Sequence, residues 1–148
     1  MLSNASKYAI RAVLYLAEKS NKNNKLGSAE IAENLDIPAH FIAKILQQLA
    51  KKELISSSKG PNGGFYLTKK NLNQKVCDIL DETEIKDVFE GCFLGLPSCG
   101  DENPCPVHFI VNEFKNKILV KFRHQTIAEF SDEIRKDGSF LTLKGLAI

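Results

Sequence analysis

Pro38-Ala39-His40-Phe41-Ile42-Ala43-Lys44-Ile45-Leu46-Gln47-Gln48-Leu49-Ala50-Lys51-Lys52 places Ile42, Ile45, Leu46 and Leu49 at spacings of three, four and seven. That spacing makes one clean apolar stripe on a helix over Pro38 to Lys52. The opposite face carries His40, Lys44, Gln47, Gln48 and Lys51. Upstream, Ser28 reads as the N-cap of a shorter helix through Ile31, Ala32 and Leu35, with Glu30 and Glu33 suited to its early turns. Asp36-Ile37-Pro38 breaks that helix and starts the next, because proline is tolerated in a first turn. Two short helices joined tightly, the second with an outward polar and basic face, match a helix-turn-helix, although a plain helical hairpin gives the same pattern.

Downstream residues separate the two. Leu54-Ile55-Ser56-Ser57-Ser58 and Phe65-Tyr66-Leu67 are strand-like and bracket Lys59-Gly60-Pro61-Asn62-Gly63-Gly64. A link so rich in Gly, Pro and Asn signals a hairpin turn. A helix-turn-helix followed at once by a hairpin is a winged helix. Lys59 and Asn62 would mark the wing tip, with Gly63 and Gly64 allowing close backbone approach to a phosphate. Before this unit, Ala9, Ile10, Ala12, Val13, Leu16 and Ala17 predict a first helix over Ser6 to Lys19.

Charge follows the same division. The 148 residues carry a formal net charge of only +2. Met1 to Lys75 holds 12 Lys and Arg against 5 Asp and Glu, a balance of +7, whereas Val76 to Ile148 holds 8 against 13, a balance of −5. A basic half joined to an acidic half suggests that one part meets a polyanion and the other does not. No apolar run approaches the roughly 20 residues that span a bilayer. The Met1–Lys7 stretch lacks the plan of an export signal, so a cytoplasmic location is expected. Enzyme motifs such as G-x-S-x-G, a phosphate-binding P-loop and H-E-x-x-H are not found.

The acidic half predicts a short helix over Asn71 to Leu80, with Cys77 as a small core side chain, and then a Gly-, Pro- and Cys-rich loop over Gly91 to Pro106. A long helix follows from near Pro106 to about Arg123, roughly 27 Å at 1.5 Å per residue. It carries Val107, Ile110, Val111, Phe114, Ile118, Leu119 and Phe122 at helical spacing, more apolar surface than a small domain covers, which points to pairing with its copy in a homodimer. Ile127, Phe130 and Ile134 continue the period until Gly138. The expected organisation is a DNA-binding unit over residues 1–80, a cysteine-bearing sensor loop and dimerisation helices over 81–138, and a tail over 139–148. The fold class is mainly α with a small β wing.

Cys92, Cys99, Cys105 and His108 have the spacing C-x6-C-x5-C-x2-H. Three thiolates and an imidazole complete a tetrahedral zinc site or hold an iron–sulfur cluster. The absence of a tight C-x-x-C pair argues against a routine zinc knuckle, and long spacings suit a larger cluster better. In a reducing compartment, clustered thiols more often bind metal or sense redox state than form disulfides.

Lys7-Tyr8-Ala9-Ile10-Arg11-Ala12, Ile31-Ala32, the stretch from Pro38 to Leu49, the wing Gly60-Pro61-Asn62-Gly63-Gly64-Phe65 and Cys105-Pro106-Val107-His108 together resemble the Rrf2 family, the IscR, NsrR and CymR group of bacterial regulators. The resemblance covers nearly the whole chain except the last ten or so residues. It implies a homodimeric winged helix-turn-helix repressor on a palindromic double-stranded operator, with crossed C-terminal helices. It also implies an iron–sulfur cluster on Cys92, Cys99 and Cys105, 2Fe-2S in preference to 4Fe-4S. His108 matches the histidine that completes the site in the IscR branch. The NsrR branch uses a first-helix aspartate whose position here is held by Lys7, which cannot replace a carboxylate. One residue more separates the first two cysteines than in the IscR pattern.

On this reading Lys44, Lys51 and Lys59 contact phosphate, and His40 and Gln47 are candidates for base edges. Ser28 and the backbone at Pro38 would hold the flanking phosphates. Gain or loss of the cluster would reorder the loop, shift the dimer helix and change the spacing of the two recognition helices. The signal could be cluster supply, nitric oxide or redox state. Alternatives are a zinc-stabilised protein-interaction module, or a regulator that uses bare thiols or a partner protein.

Overall fold

A computed structural model of the chain describes residues 2–138; the expected tail over 139–148 lies outside them. Three helices make the first half of the core: α1 (Asn4–Lys19), α2 (Ser28–Leu35) and α3 (Ala39–Lys51). The helix α1 starts earlier than the apolar pattern indicates because Ser3 caps it, its hydroxyl accepting the Ser6 N–H at 3.1 Å. Ala12, Val13 and Leu16 of α1, Ile31 and Leu35 of α2, and Ile42 and Leu46 of α3 are fully or almost fully buried against one another. The stripe read from α3 is therefore its packed face. Burying such side chains contributes about 1.5–3 kcal/mol each.

Two expected helix starts shift by one residue. Gly27, not Ser28, is the N-cap of α2, so Ser28 is the first helical residue and its side chain makes no cap bond. Pro38 is the N-cap of α3 rather than part of its first turn, and its carbonyl accepts the Phe41 and Ile42 N–H groups at 3.0 and 3.2 Å. Lacking an N–H of its own, proline loses nothing there.

The wing is an antiparallel pair, β1 (Ser56–Ser58) and β2 (Gly64–Tyr66), in the register Ser56↔Tyr66, Ser57↔Phe65, Ser58↔Gly64. A third segment joins it: Leu26 and Phe65 exchange backbone hydrogen bonds at 2.9 and 2.8 Å, which ties the wing to the loop between α1 and α2. Gly64 is required at this junction. Its φ is +147°, and a β-carbon there would lie 2.8 Å from the Leu26 carbonyl oxygen.

The helix expected over Asn71 to Leu80 is broken into α4 (Lys69–Leu72) and a 3-10 turn over Val76–Ile79. Thr68 and Asn71 form a capping box that starts α4 two residues before the expected start, and Asn73 caps its end. The buried Asn71 side chain accepts from the Thr68 N–H at 2.9 Å and the Ser56 hydroxyl at 2.8 Å, and donates to the Glu53 carbonyl at 3.1 Å. Asparagine suits such a cap better than a helix interior. Lys75 is extended and forms an isolated antiparallel bridge with Thr126. Cys77, in the 3-10 turn, is half-buried rather than in the core.

Glu82–Ile85 forms α5 and runs into a π-helical turn over Lys86–Glu90. After the cysteine loop come α6 (His108–His124) and α7 (Ile127–Asp137). The start of α6 is His108, two residues beyond the expected Pro106, and its 17 residues span about 26 Å. A Thr126–Glu129 capping box starts α7, which packs back on α1 and buries Ile127 completely in the same core as α1 to α3. Replacing Ile127 with Ala should therefore lower unfolding stability by about 2–5 kcal/mol in urea titrations, as for a core residue rather than an appendage.

Candidate metal centre and nucleic-acid interface

The loop between the π turn and α6 brings the four sequence-selected donors together. The sulfurs of Cys92, Cys99 and Cys105 all lie within 4.8 Å of one another. Cys92 and Cys105 Sγ are 3.9 Å apart, and His108 Nδ1 lies 3.2 Å from Cys99 Sγ. Two sulfurs on one tetrahedral metal with bonds of about 2.3 Å would be separated by about 3.8 Å. The three thiols thus suit a soft thiophilic centre, zinc or iron, and His108 borders the triad at Cys99.

Local turns produce this convergence. The Gly95 N–H bonds to the Cys92 carbonyl at 3.0 Å, with Gly95 at φ +73°, and the Cys99 N–H bonds to the Leu96 carbonyl at 3.4 Å. Gly100 and Asn103 exchange backbone bonds at 3.4 and 3.1 Å, which folds residues 100–103 into a turn. The His108 N–H bonds to the Cys105 carbonyl at 3.0 Å, so the last thiol and the imidazole sit at the first turn of α6. Peptide dipoles at that helix start favour negative charge on the sulfurs and on anything they hold. Lys115, two turns along α6, reaches back with Nζ to the Gly91 carbonyl, beside Cys92.

The thiols differ. The Cys92 thiol is lowered to about 7, chiefly by a backbone hydrogen bond at Leu96, aided by Leu94 and by the Cys99 and Cys105 side chains. At Cys99 a backbone hydrogen bond from Cys105 favours the thiolate, but desolvation and the neighbouring thiols outweigh it and the thiol is raised. Desolvation, with Asp78 beside it, raises Cys77. Asp101, which composition alone marks only as a loop acid, places Oδ1 2.9 Å from His108 Nε2.

The proposed DNA-contacting residues lie elsewhere. His40, Lys44, Gln47 and Lys51 are exposed on α3, opposite Ile42, Ile45, Leu46 and Leu49, and His40 stacks on Phe41 with ring centroids 4.2 Å apart. Lys59 and Asn62 are exposed at the wing tip. Gly63 and Gly64 are half-buried, Gly64 against Leu26 and Gly63 against the wing's own backbone, where a β-carbon would lie 2.3 Å from the Ser58 carbonyl oxygen. Half-buried Ser28 and exposed Pro38 stand at the starts of α2 and α3, where early N–H groups lack helical acceptors.

None of the residues of α6 is buried. Phe109, Ile110, Phe114 and Val120 are between 57 and 74% exposed. Beside them runs an apolar groove of about 550 Å³, walled by Phe89, Phe93, Val111, Ile118 and Phe122 among others. No helix among the described residues is long and apolar enough to cross a membrane.

A helix-turn-helix with a wing, joined to a thiol cluster at the head of a long helix, defines a winged-helix regulator with a cysteine triad placed as metal ligands would be. The family model for Rrf2, described as an iron-dependent transcriptional regulator, matches residues 2–133, and the chain belongs to that family. It is 34% identical over 131 residues to a protein of Aquifex aeolicus assigned by its description to the HTH-type transcriptional regulators, covering 87% of this chain and 90% of that one. It is 26% identical over 146 residues to the HTH-type transcriptional regulator NsrR of Bacillus licheniformis, with 91 and 96% covered. Among solved structures, IscR of T. potens superposes with a TM-score of 0.62 at 19% identity, covering 100% of this chain and 93% of that one.

In the metal-free protein the alkylation rate of Cys92 should rise about tenfold per pH unit up to about pH 7 and level off above it, because only the thiolate reacts. Cys99 and Cys77 should keep accelerating well above that pH. Mass-spectrometric mapping of iodoacetamide labelling reads both profiles.

Proposed function

We propose that this protein is a homodimeric DNA-binding repressor that senses iron–sulfur, redox or nitric oxide status through a cluster held by Cys92, Cys99, Cys105 and His108. The single observation that carries the reading is the convergence of three thiols, with His108 against Cys99, at the head of the helix whose apolar face is uncovered. A 2Fe-2S centre suits three thiolates and one imidazole better than a cubane that four cysteines would hold. When bound, it would supply a reversibly lost, redox-active group. The chain's own residues do the rest: Cys105 and His108 anchor α6, Lys115 ties α6 to the backbone ahead of Cys92, and α6 meets its copy through Ile110, Phe114 and Val120.

The functional division follows residues 1–80 for reading and 81–138 for sensing and pairing, although Ile127 joins the two in one core. Recognition helices from the two subunits would enter successive major grooves of a palindromic operator, about one DNA turn apart. His40 and Gln47 face base edges there. Lys44, Lys51 and, on the wing, Lys59 face phosphates, with Asn62 beside the sugar-phosphate backbone and the glycines 63 and 64 keeping the wing thin enough to approach it. The N–H groups at Ser28 and at Ala39, which follows Pro38, are suited to flanking phosphates.

Anaerobic purification is the deciding experiment. A coloured protein with two irons and two acid-labile sulfides per chain supports this reading. A colourless protein with one tightly held zinc and no operator binding points to the zinc-stabilised interaction module instead. On DNA, Lys44→Ala should weaken operator binding and reduce the slope of log affinity against log salt by about 1, leaving sequence preference intact; an unchanged slope removes Lys44 from the phosphate contacts.

A further inference from the structure

We infer that Asp101 is a positioning residue for the metal centre, fixing the His108 ring so that Nδ1 is the nitrogen offered to the metal. The inference rests on the cluster reading proposed above and adds a residue to it. His108 is only 15% exposed at its side chain, whereas Asp101, on the turn that Gly100 and Asn103 close, is 82% exposed. Asp101 therefore does not belong to the packed interior. It reaches from the surface to one atom, His108 Nε2, at 2.9 Å, while Nδ1 on the other side of the ring faces Cys99 Sγ at 3.2 Å.

A neutral imidazole carries one N–H and one lone pair, and whichever nitrogen donates leaves the other as ligand. A carboxylate that accepts from Nε2 assigns the donor role to that side and the lone pair to Nδ1. It also sets the rotation of the ring about its bond to the β-carbon. The edge-on Phe109 ring, 5.1 Å away at 88°, borders the imidazole but offers no acceptor, so it cannot choose between the two nitrogens. Neighbouring Glu102 is exposed on the same turn, yet only Asp101 has the contact with His108 among the described residues. Carboxylates of this kind behind a ligating histidine commonly alter metal affinity 10- to 100-fold when removed.

The test uses the full chain, reconstituted anaerobically with iron and sulfide, as wild type, Asp101→Ala, Asp101→Asn, Asp101→Glu and His108→Ala. Two readouts are taken: cluster loss to a ferrous chelator, and nitrogen hyperfine coupling in pulsed EPR of the reduced cluster. Wild type should show a strongly coupled nitrogen that His108→Ala lacks. Asp101→Ala should lose its cluster about 10- to 100-fold faster with an altered coupling. Asp101→Asn, a weaker neutral acceptor, should fall between it and wild type and decides the matter if Asp101→Ala does not load. Asp101→Glu should recover part of the difference. Wild-type loss rates and couplings in the Ala and Asn variants, with the nitrogen signal still lost in His108→Ala, would overturn the role of Asp101 and leave the ligand set standing. A wild-type cluster without nitrogen coupling would overturn the His108 assignment, and Asp101 with it.

Discussion

Only two residues separate Cys105 from His108, and that short tether governs how the loop and the long helix relate. The Cys105 carbonyl accepts the His108 N–H, so the last thiol cannot move without moving the first turn of α6. Cys92 and Cys99 come to this fixed point along a chain of turns, not the reverse, because Cys105 is the buried member of the three. Lys115 adds a second tie from α6 to the start of the loop. On the proposed function, a change in what the thiols hold would reach α6 over these two bonds rather than through a long packed relay.

The other end of α6 meets an equally definite structure. At its end His124 accepts from Lys75 Nζ at 2.8 Å, and the chain turns into the Lys75–Thr126 bridge and then into α7, whose Ile127 lies in the core with α1 to α3. A helix with the cysteine loop at one end and the reading unit at the other is placed to act as a lever in the proposed function. Its uncovered apolar face would be stable only against another surface, since exposed apolar area of this extent on a regular helix marks an interaction site. In the proposed homodimer, pairing of two such helices would convert a local change into a change of distance between recognition helices.

Much of this was legible in the residues themselves. Ile42, Ile45, Leu46 and Leu49 marked the packed face of α3 because helical periodicity is a local property, and the Gly-Pro-Asn-Gly-Gly run marked the wing because turns have strict residue demands. Convergence of Cys92, Cys99, Cys105 and His108 was legible from residue type and spacing. Elsewhere the deciding partners are remote in sequence. Asn71 anchors the start of α4 through bonds to Ser56 and Glu53, and Gly64 is fixed by the Leu26 carbonyl, partners that a local window does not contain. Asp101 looked like one more loop acid because its significance lies in the direction of its carboxylate toward His108. The starts of α2 and α3 moved by one residue because Gly27 and Pro38 serve as caps through backbone conformation, with no side-chain signature.

In the proposed mechanism the state of the thiol loop sets the separation of the two recognition helices. Spin labels attached at position 47, one per subunit, report that separation by pulsed dipolar EPR in the dimer with and without its cluster. The account predicts two distinct distance distributions, converted into each other by removing and rebuilding the cluster. A single distribution, unchanged by the state of the loop, would contradict it.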